Sequence, residues 1–584
     1  LSSIRVCHEE FAMLTNRRQI LRAGLGTAAA AAAARFTVAA SPDPAGGMYR
    51  KTFRSLDRFV EQYMRDMGSP GMTLVLADRA GVQRVATYGL GDLERRKPAR
   101  PEELFQIGSI SKSFVAICLL QLRDEGKLDL HRPVYDYLPW FRVESTFAPI
   151  TVHHLLTHGS GLPGNAAVFL SDVSQGHRAA YPPGAHFYYS NLAYSLLGHL
   201  AWTLDGRPLP ELLRRRILEP LGMSHTEPAI TPDMRDRLVK SYSAFQDDRP
   251  ASAGARLCEA PAILLTEGAG CIASPAADMG AYVRMIANRG VGPNGPLLSR
   301  ESFELFSQRH LDAADFGPGA SYGYGIAVDE LDGNVLLRHT GGMISFMSAM
   351  MVDIDAGVGA FASINAMQGY RPNPVARFAI QLMRAQQDGR PLPQSPPSDP
   401  PTRITNSSDY EGAYEGAVDR VLIEREGERL FVVRGSERAL LERAGEPDRF
   451  TVAPVNRAPF RFPLQFLRRD PGDPKSAVTE AMWGSDWYAG AAYEGPRQFD
   501  HPPQWERYVG HYRSENPWVG SIRIVSCKGR LWINGTIPLQ PAGDRFLLRD
   551  EPHSPEWLAF SDVVNGRCMR VRLSGEDLRR VDAA

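Results

Sequence analysis

The chain carries almost nothing that would commit it to a nucleic acid or a membrane. Lysine plus arginine and aspartate plus glutamate each total 66, so the formal net charge is zero. No basic field marks a polyphosphate or anionic-lipid partner, and no apolar run in the body of the chain is long enough to span a bilayer. Cysteine is sparse: Cys7, Cys118, Cys258, Cys271, Cys527 and Cys568 are the six in 584 residues. Their spacing fits neither a zinc pattern nor a dense disulfide framework. Cys118 falls in an apolar segment and reads as core, and a Cys258–Cys271 bridge is left open. His153, His154 and His158 have no carboxylate in a zinc-protease arrangement, so neither a metal nor a cofactor is expected. Lysine is scarce as well, with seven residues in the whole chain.

What remains is ordinary globular composition, 43% hydrophobic and 23% charged, at a length that suits three or four domains. Residues 1–47 read as a leader. Arg17 and Arg18 precede an alanine-rich segment and the small-residue stretch Val38-Ala39-Ala40. This resembles a twin-arginine export signal and implies a periplasmic or secreted bacterial protein. The residues before Met13 read as an upstream extension. Leu56, Phe59, Val60 and Tyr63 recur at helical spacing. The segment "GMTLVLADRAGVQRVATYG" predicts a hairpin turning at Ala80-Gly81, and "FMSAMMVDIDAGVGAFASINA" a second one turning at Asp355-Ala356-Gly357. A helix follows in "PNPVARFAIQLMRAQQ". Strands at both ends of 48–387 with a helical middle imply one sheet built from both termini of a domain. Residues 388–408 are proline-rich and polar, a linker.

Beyond it the chain repeats: "DYEGAYEG" at 409 and "RYVGHYRS" at 507, "GERLFVV" at 427 and "GRLWING" at 529, "DRFTV" at 448 and "DRFLL" at 544. Three echoes in the same order predict two antiparallel barrels, 409–498 and 499–584.

The chemistry centres on "FQIGSISKSF". The helix that follows is apolar nearly all round and therefore buried, which makes Lys112 a costly residue unless it is used. Ser109, three residues before it, shares its face; Ser111 and Ser113 are adjacent to it in sequence and displaced by about 100°. Ser109-x-x-Lys112 is the sole Ser-x-x-Lys in the chain. Two further segments join it: Tyr189-Ser190-Asn191 at the mouth of a predicted helix, and His339-Thr340-Gly341-Gly342 at the end of a predicted strand.

An activated Ser109 would attack a carbonyl, with its proton passing to a desolvated Lys112 or to a Tyr189 whose pKa a nearby cation lowers. The sequence leaves open which of the two is the base. The Asn191 amide would hold the substrate or the lysine, and the backbone N–H groups of Ser109 and Gly342 would form an oxyanion hole. Tyr322 and Tyr324 stand as pocket wall or core strand, and Pro275 as the first residue of a helix.

In this order the three segments resemble the Ser-x-x-Lys, Tyr-x-Asn and Lys/His-Thr-Gly boxes of the serine β-lactamase and DD-peptidase superfamily. "LTHGSGLP" at 156, "EGKLDLHRPVYDYLPWF" at 125 and "GAGCIASPAADMGAYV" at 268 fit the same family. Tyrosine in the second box and His339 in the third point to the branch with class C β-lactamases, D-aminopeptidases and related esterases. His339 stands where class C enzymes carry lysine. The resemblance covers about 48–387 and implies an α/β (α+β) domain with an antiparallel sheet and a helical subdomain, followed by the two barrels. It implies Ser109, Lys112 and Tyr189 as catalytic, and Asn191, His339, Thr340 and Gly341 as substrate-binding. The implied substrates are D-amino-acid amides or peptides, peptidoglycan-derived peptides or small esters, with no nucleic acid and no stable membrane span in the mature protein. A true β-lactamase or penicillin-binding DD-carboxypeptidase is the alternative; a catalytically weak cell-wall binding or sensing protein is the alternative of another class. The D-aminopeptidases further imply a barrel loop in the pocket, for which "WGSDWYAGAAYEG", 483–495, is the candidate, with an ordinary inter-barrel connection as the other reading of that segment.

Overall fold

In the computed structural model, residues 39–40, 48–166, 177–246, 249–452, 461–548 and 553–581 are described. The leader's arginine pair lies outside them. The periodic segment forms helix α1, Arg50–Met67, with Leu56, Phe59, Val60 and Tyr63 buried, closed by left-handed Gly68. The first hairpin is β1, Gly71–Asp78, with β2, Val82–Asp92. The second pairs β5, Met347–Asp353, with β6, Val358–Ile364, and follows β3, Ala327–Leu331, and β4, Asn334–Gly342. Val358 pairs with Asp78 and Ile364 with Met72, so the two hairpins join antiparallel into one sheet in the order β2-β1-β6-β5-β4-β3. Every residue of β5 and β6 is buried, as a strand covered on both faces requires. Helix α6, Asn373–Gln387, packs with α1 on that sheet through Phe59 and Phe378, ring centroids 5.0 Å apart.

The helical part sits between the two hairpins in sequence. Its central helix is α2, Ser111–Asp124, with eleven of its first twelve residues buried. It packs into one large core with α3, Val152–Leu156, α4, Asn191–Asp205, and α5, Ala276–Ala287. Pro275 is the N-cap of α5 rather than its first helical residue.

Both barrels are closed, eight antiparallel strands each, from Gly412–Glu415 to Asp486–Ala489 and from Gly510–Arg513 to Glu576–Arg580. Closure leaves no unpaired sheet edge. Each encloses its own core. Order begins upstream of the first barrel's strands: Ile404 is buried in that core, and its N–H donates to Glu428 O at 2.6 Å. Among the described residues all five cysteines are free, so Cys258 and Cys271 are not bridged. No helix among them is long and apolar enough to cross a membrane.

Candidate active site

A single 3-10 turn, Gly108–Ile110, leads into α2. Gly108 has φ +55°, and a Cβ there would lie 2.9 Å from both Gly342 N and O. A Cβ on Gly341 would lie 1.9 Å from Ile107 O. The end of β4 is therefore pressed backbone to backbone against the turn that carries Ser109. Gly341, expected among the substrate-binding residues, instead makes room for the Ile107 carbonyl.

The three serines separate as their helical positions require. Ser111 Oγ, buried, accepts from Ile272 N–H at 3.2 Å. Ser113 Oγ donates to Ile110 O at 2.8 Å and bonds Tyr282 OH at 2.7 Å. Ser109 alone is partly exposed, and its Oγ lies 3.0 Å from Lys112 Nζ. Lys112 is 0% exposed. Its Nζ also donates to Asn191 Oδ1 at 2.7 Å and to Ala269 O at 2.8 Å.

Burial without a compensating carboxylate pushes the Lys112 ammonium well below the usual lysine range. Neither Asn191 Oδ1 nor Ala269 O can donate. A neutral amine would keep its two N–H bonds to them and turn its lone pair toward Ser109 Oγ. The geometry thus orients a base as well as neutralising it.

Tyr189 contradicts the expectation of a lowered pKa. Desolvation raises it above its ordinary value, outweighing the opposing Ser109 hydrogen bond and the Arg371 charge. Its ring is packed by His158, centroids 4.3 Å apart, and Lys112 Nζ stands 4.8 Å from its centroid. Because Lys112 is itself driven toward neutrality, it supplies little cationic help. Raised in this way, Tyr189 stays protonated at neutral pH, as a proton donor must.

His339 is also corrected. It is 1% exposed and does not reach the substrate side. Thr340 O can only accept, so Nδ1–H donates to it at 2.7 Å, and Nε2 accepts from Tyr322 OH at 2.8 Å. Burial, the largest cause, pushes its pKa down to about 3. A neutral, buried imidazole with both nitrogens engaged cannot bind a carboxylate. Tyr322 and Tyr324 are both core; Tyr324 OH bonds His153 Nδ1 at 2.8 Å. His158, buried, accepts from Ser190 N–H at 3.0 Å, and its pKa is held well below the ordinary value by desolvation first.

These buried histidines set an acid limit. In the unfolded chain His158 and His339 bind protons below about pH 6.5; in the fold they stay neutral to far lower pH, so stability falls as pH drops through that window. Lowered carboxylates contribute mainly below about pH 4.5. Urea unfolding at pH 7 and pH 5 is therefore expected to show a loss on the order of 4 kcal/mol, two groups at about 1.4 kcal/mol per pH unit over the roughly 1.5 units below pH 6.5. Equal midpoints would contradict the buried, neutral assignment.

Ser109 opens onto a cavity of 470 Å³. Gly342 and Met343 form the β4 side, Asn165 and Asn191 another, and Glu267 a third. His339, Thr340 and Gly341 are not part of the lining. The second barrel supplies Asn516, Trp518 and Glu576. The 483–495 segment, expected in this place, lies instead at the junction of the barrels: Gly484 packs on Phe462 and Gly535, and Glu480 accepts from Trp487 Nε1–H at 2.6 Å and bonds Lys528.

Two further charged features escaped sequence reasoning. Glu267 and Glu576 face the cavity, bonded to Ser195 Oγ at 2.6 Å and Ser514 Oγ at 2.8 Å. Arg371 places its guanidinium nitrogens 3.5 and 3.8 Å from where a Gly342 Cβ would stand. Only the run of glycine, tyrosine and arginine just before α6 hinted that a side chain could turn back to β4.

Comparison with known proteins places this geometry. A family model described as Beta-lactamase matches residues 56–384. Esterase EstB of Burkholderia gladioli is 27% identical over 314 residues, 47% of this chain and 79% of the esterase. A beta-lactamase of Pseudomonas fluorescens is 29% identical over 213 residues, 35% of this chain and 59% of that protein. Protein flp of Staphylococcus aureus is 27% identical over 187 residues; the match spans 30% of this chain and 38% of flp. Among solved structures, the octameric penicillin-binding protein homologue from Pyrococcus abyssi aligns over 75% of this chain and 99% of its own, at TM-score 0.53 and 23% identity. That likeness is one of fold.

Proposed function

The chain belongs to the beta-lactamase family, and from that premise we propose that it is an exported serine hydrolase cleaving amide or ester bonds of small aminoacyl substrates through a Ser109 acyl-enzyme. The observation that carries the reading is Ser109 Oγ, 3.0 Å from a fully buried lysine and opening onto a cavity. Ser109 attacks the carbonyl carbon while its proton passes to Lys112 Nζ. The oxyanion is held by the N–H groups of Ser109 and Gly342. Tyr189, kept protonated, gives its proton to the leaving nitrogen or oxygen and is reprotonated from Lys112. Water then hydrolyses the acyl-enzyme by the reverse proton path. The arginine pair and alanine-rich segment of the leader support export.

The substrate class follows from charge. Glu267 and Glu576 line the cavity, and among the described residues no lysine or arginine does. Trp518, 44% exposed, adds an aromatic face. Two carboxylates and an indole suit a primary ammonium, as in D-amino-acid amides. Glu267→Gln and Glu576→Gln are expected to lower kcat/KM about tenfold for D-alanine p-nitroanilide, equivalent to one lost charge-assisted hydrogen bond. The N-acetyl analogue should change little. Equal losses on both substrates would remove the ammonium from the reading. A second reading, β-lactamase or DD-carboxypeptidase, is favoured by Arg371 beside Gly342, since such substrates carry a carboxylate. Turnover of a chromogenic cephalosporin exceeding that of the anilide would select it.

A further inference from the structure

We propose that Glu556, on the second barrel, is a positioning residue for the catalytic lysine; this rests on the Ser109–Lys112 reading above. Glu556 stands immediately before the barrel strand Trp557–Val564. Its Oε1 accepts from Gly164 N–H at 2.5 Å and from Tyr188 OH at 3.3 Å. Its Oε2 accepts from Ser574 Oγ within the barrel. Beside it His186 and His553 stack at 3.5 Å and 8° between ring planes, one ring from each side of the interface. The carboxylate is thus anchored on the barrel and reaches into the hydrolase domain.

What it reaches is the loop that sets the second box. Gly164 O accepts from Asn191 N–H at 2.7 Å and from Leu192 N–H at 3.1 Å, satisfying two donors of the first turn of α4. Pro163 O accepts from Ser190 Oγ at 2.7 Å, and Ser190 Oγ caps α4 by accepting from Ala193 N–H at 3.1 Å. Asn191 Nδ2–H donates to Asn165 Oδ1 at 2.6 Å, which leaves Asn191 Oδ1 for Lys112 Nζ at 2.7 Å. A continuous path therefore runs from Glu556 through Gly164 and Asn191 to Lys112 and Ser109. Each link is a hydrogen bond, and the first is charge-assisted, among the stronger kinds. The amine's lone pair points at Ser109 only while Asn191 Oδ1 holds one of its N–H bonds. A base misplaced by a fraction of an ångström loses rate rather than substrate affinity.

A role in gluing the barrel to the domain would change stability alone. Positioning changes the rate per folded site and the pH at which the base titrates. In the full-length protein, Glu556→Ala is expected to lower kcat for p-nitrophenyl acetate about tenfold per site titrated with a fluorophosphonate. KM should be conserved within about twofold, and the acid limb of the kcat–pH profile should be displaced. Glu556→Gln retains an acceptor for Gly164 N–H and is expected to recover most of kcat. A folded Glu556→Ala protein with wild-type kcat per site and an unmoved acid limb would overturn the proposal. Should that variant fail to fold, Tyr188→Phe, which removes the second donor to Glu556 Oε1, decides the matter: a smaller loss of kcat with a displaced limb supports positioning, and unchanged kinetics refutes it. Normal labelling at Ser109 with unchanged Glu556 variants fails this proposal alone; labelling that survives Ser109→Ala fails the reading beneath it.

Discussion

Replacing Ser109 with alanine is expected to reduce hydrolysis of a small ester by about four orders of magnitude or more, the scale on which serine nucleophiles are missed. Ser111→Ala and Ser113→Ala should each keep most of the activity. The contrast comes from where the three hydroxyls point. Ser111 Oγ is spent on Ile272 N–H, and Ser113 Oγ on Ile110 O and Tyr282 OH. Both are 0% exposed, so no substrate carbonyl reaches them. Their loss costs a buried hydrogen bond, about 1 kcal/mol of stability each, not a nucleophile. Ser109 combines partial exposure, a place in the cavity wall and a lysine at 3.0 Å. Comparable losses in all three variants, in protein shown to be folded, would contradict the assignment.

The second large effect is expected of Lys112→Arg, which keeps the positive charge and should nevertheless lose about a thousandfold or more in kcat. If Lys112 acts as the base, it must release its proton at the working pH, which burial favours by lowering its pKa. A guanidinium does not deprotonate in water. Lys112→Met, of similar length and uncharged, should be equally inactive while still folding, which separates loss of the base from a clash in the buried site. In the wild type, kcat/KM should rise with pH through the lowered Lys112 pKa, because the neutral amine is the active form. Retained activity in Lys112→Arg would mean that the charge matters and the proton does not. In that case Tyr189 would have to be reconsidered as base despite its raised pKa.

The parts of this site that the sequence displayed are those set by short-range geometry. Ser109 and Lys112 are one helical turn apart, so their meeting follows from 3.6 residues per turn. The two hairpins announced themselves through apolar, β-branched runs broken by turn residues, and the barrels through repeated strand words. Tyr189 shows what the sequence could not display. The sign of its pKa shift depends on how densely His158 and its neighbours pack the ring, which is a tertiary fact. His339 likewise reads as a binding residue until Tyr322, seventeen positions away, is seen to occupy Nε2.

Glu267 and Glu576 are separated by more than three hundred residues, and no spacing rule links them. The misplaced barrel loop has the same origin. Segment 483–495 ends the first barrel and 514–518 opens the second, and composition marks both as turn-rich. Which rim faces Ser109 is decided by how the second barrel docks, through Glu556 on Gly164 and His553 on His186.

The most direct measurement is to label the full-length protein with a fluorophosphonate, digest it and locate the adduct by tandem mass spectrometry. One adduct per chain, on Ser109 and lost on pretreatment with a slowly hydrolysed substrate ester, is the expected result. An adduct on Ser111, Ser113 or Tyr189, or a folded protein that takes no label at all, would contradict the account.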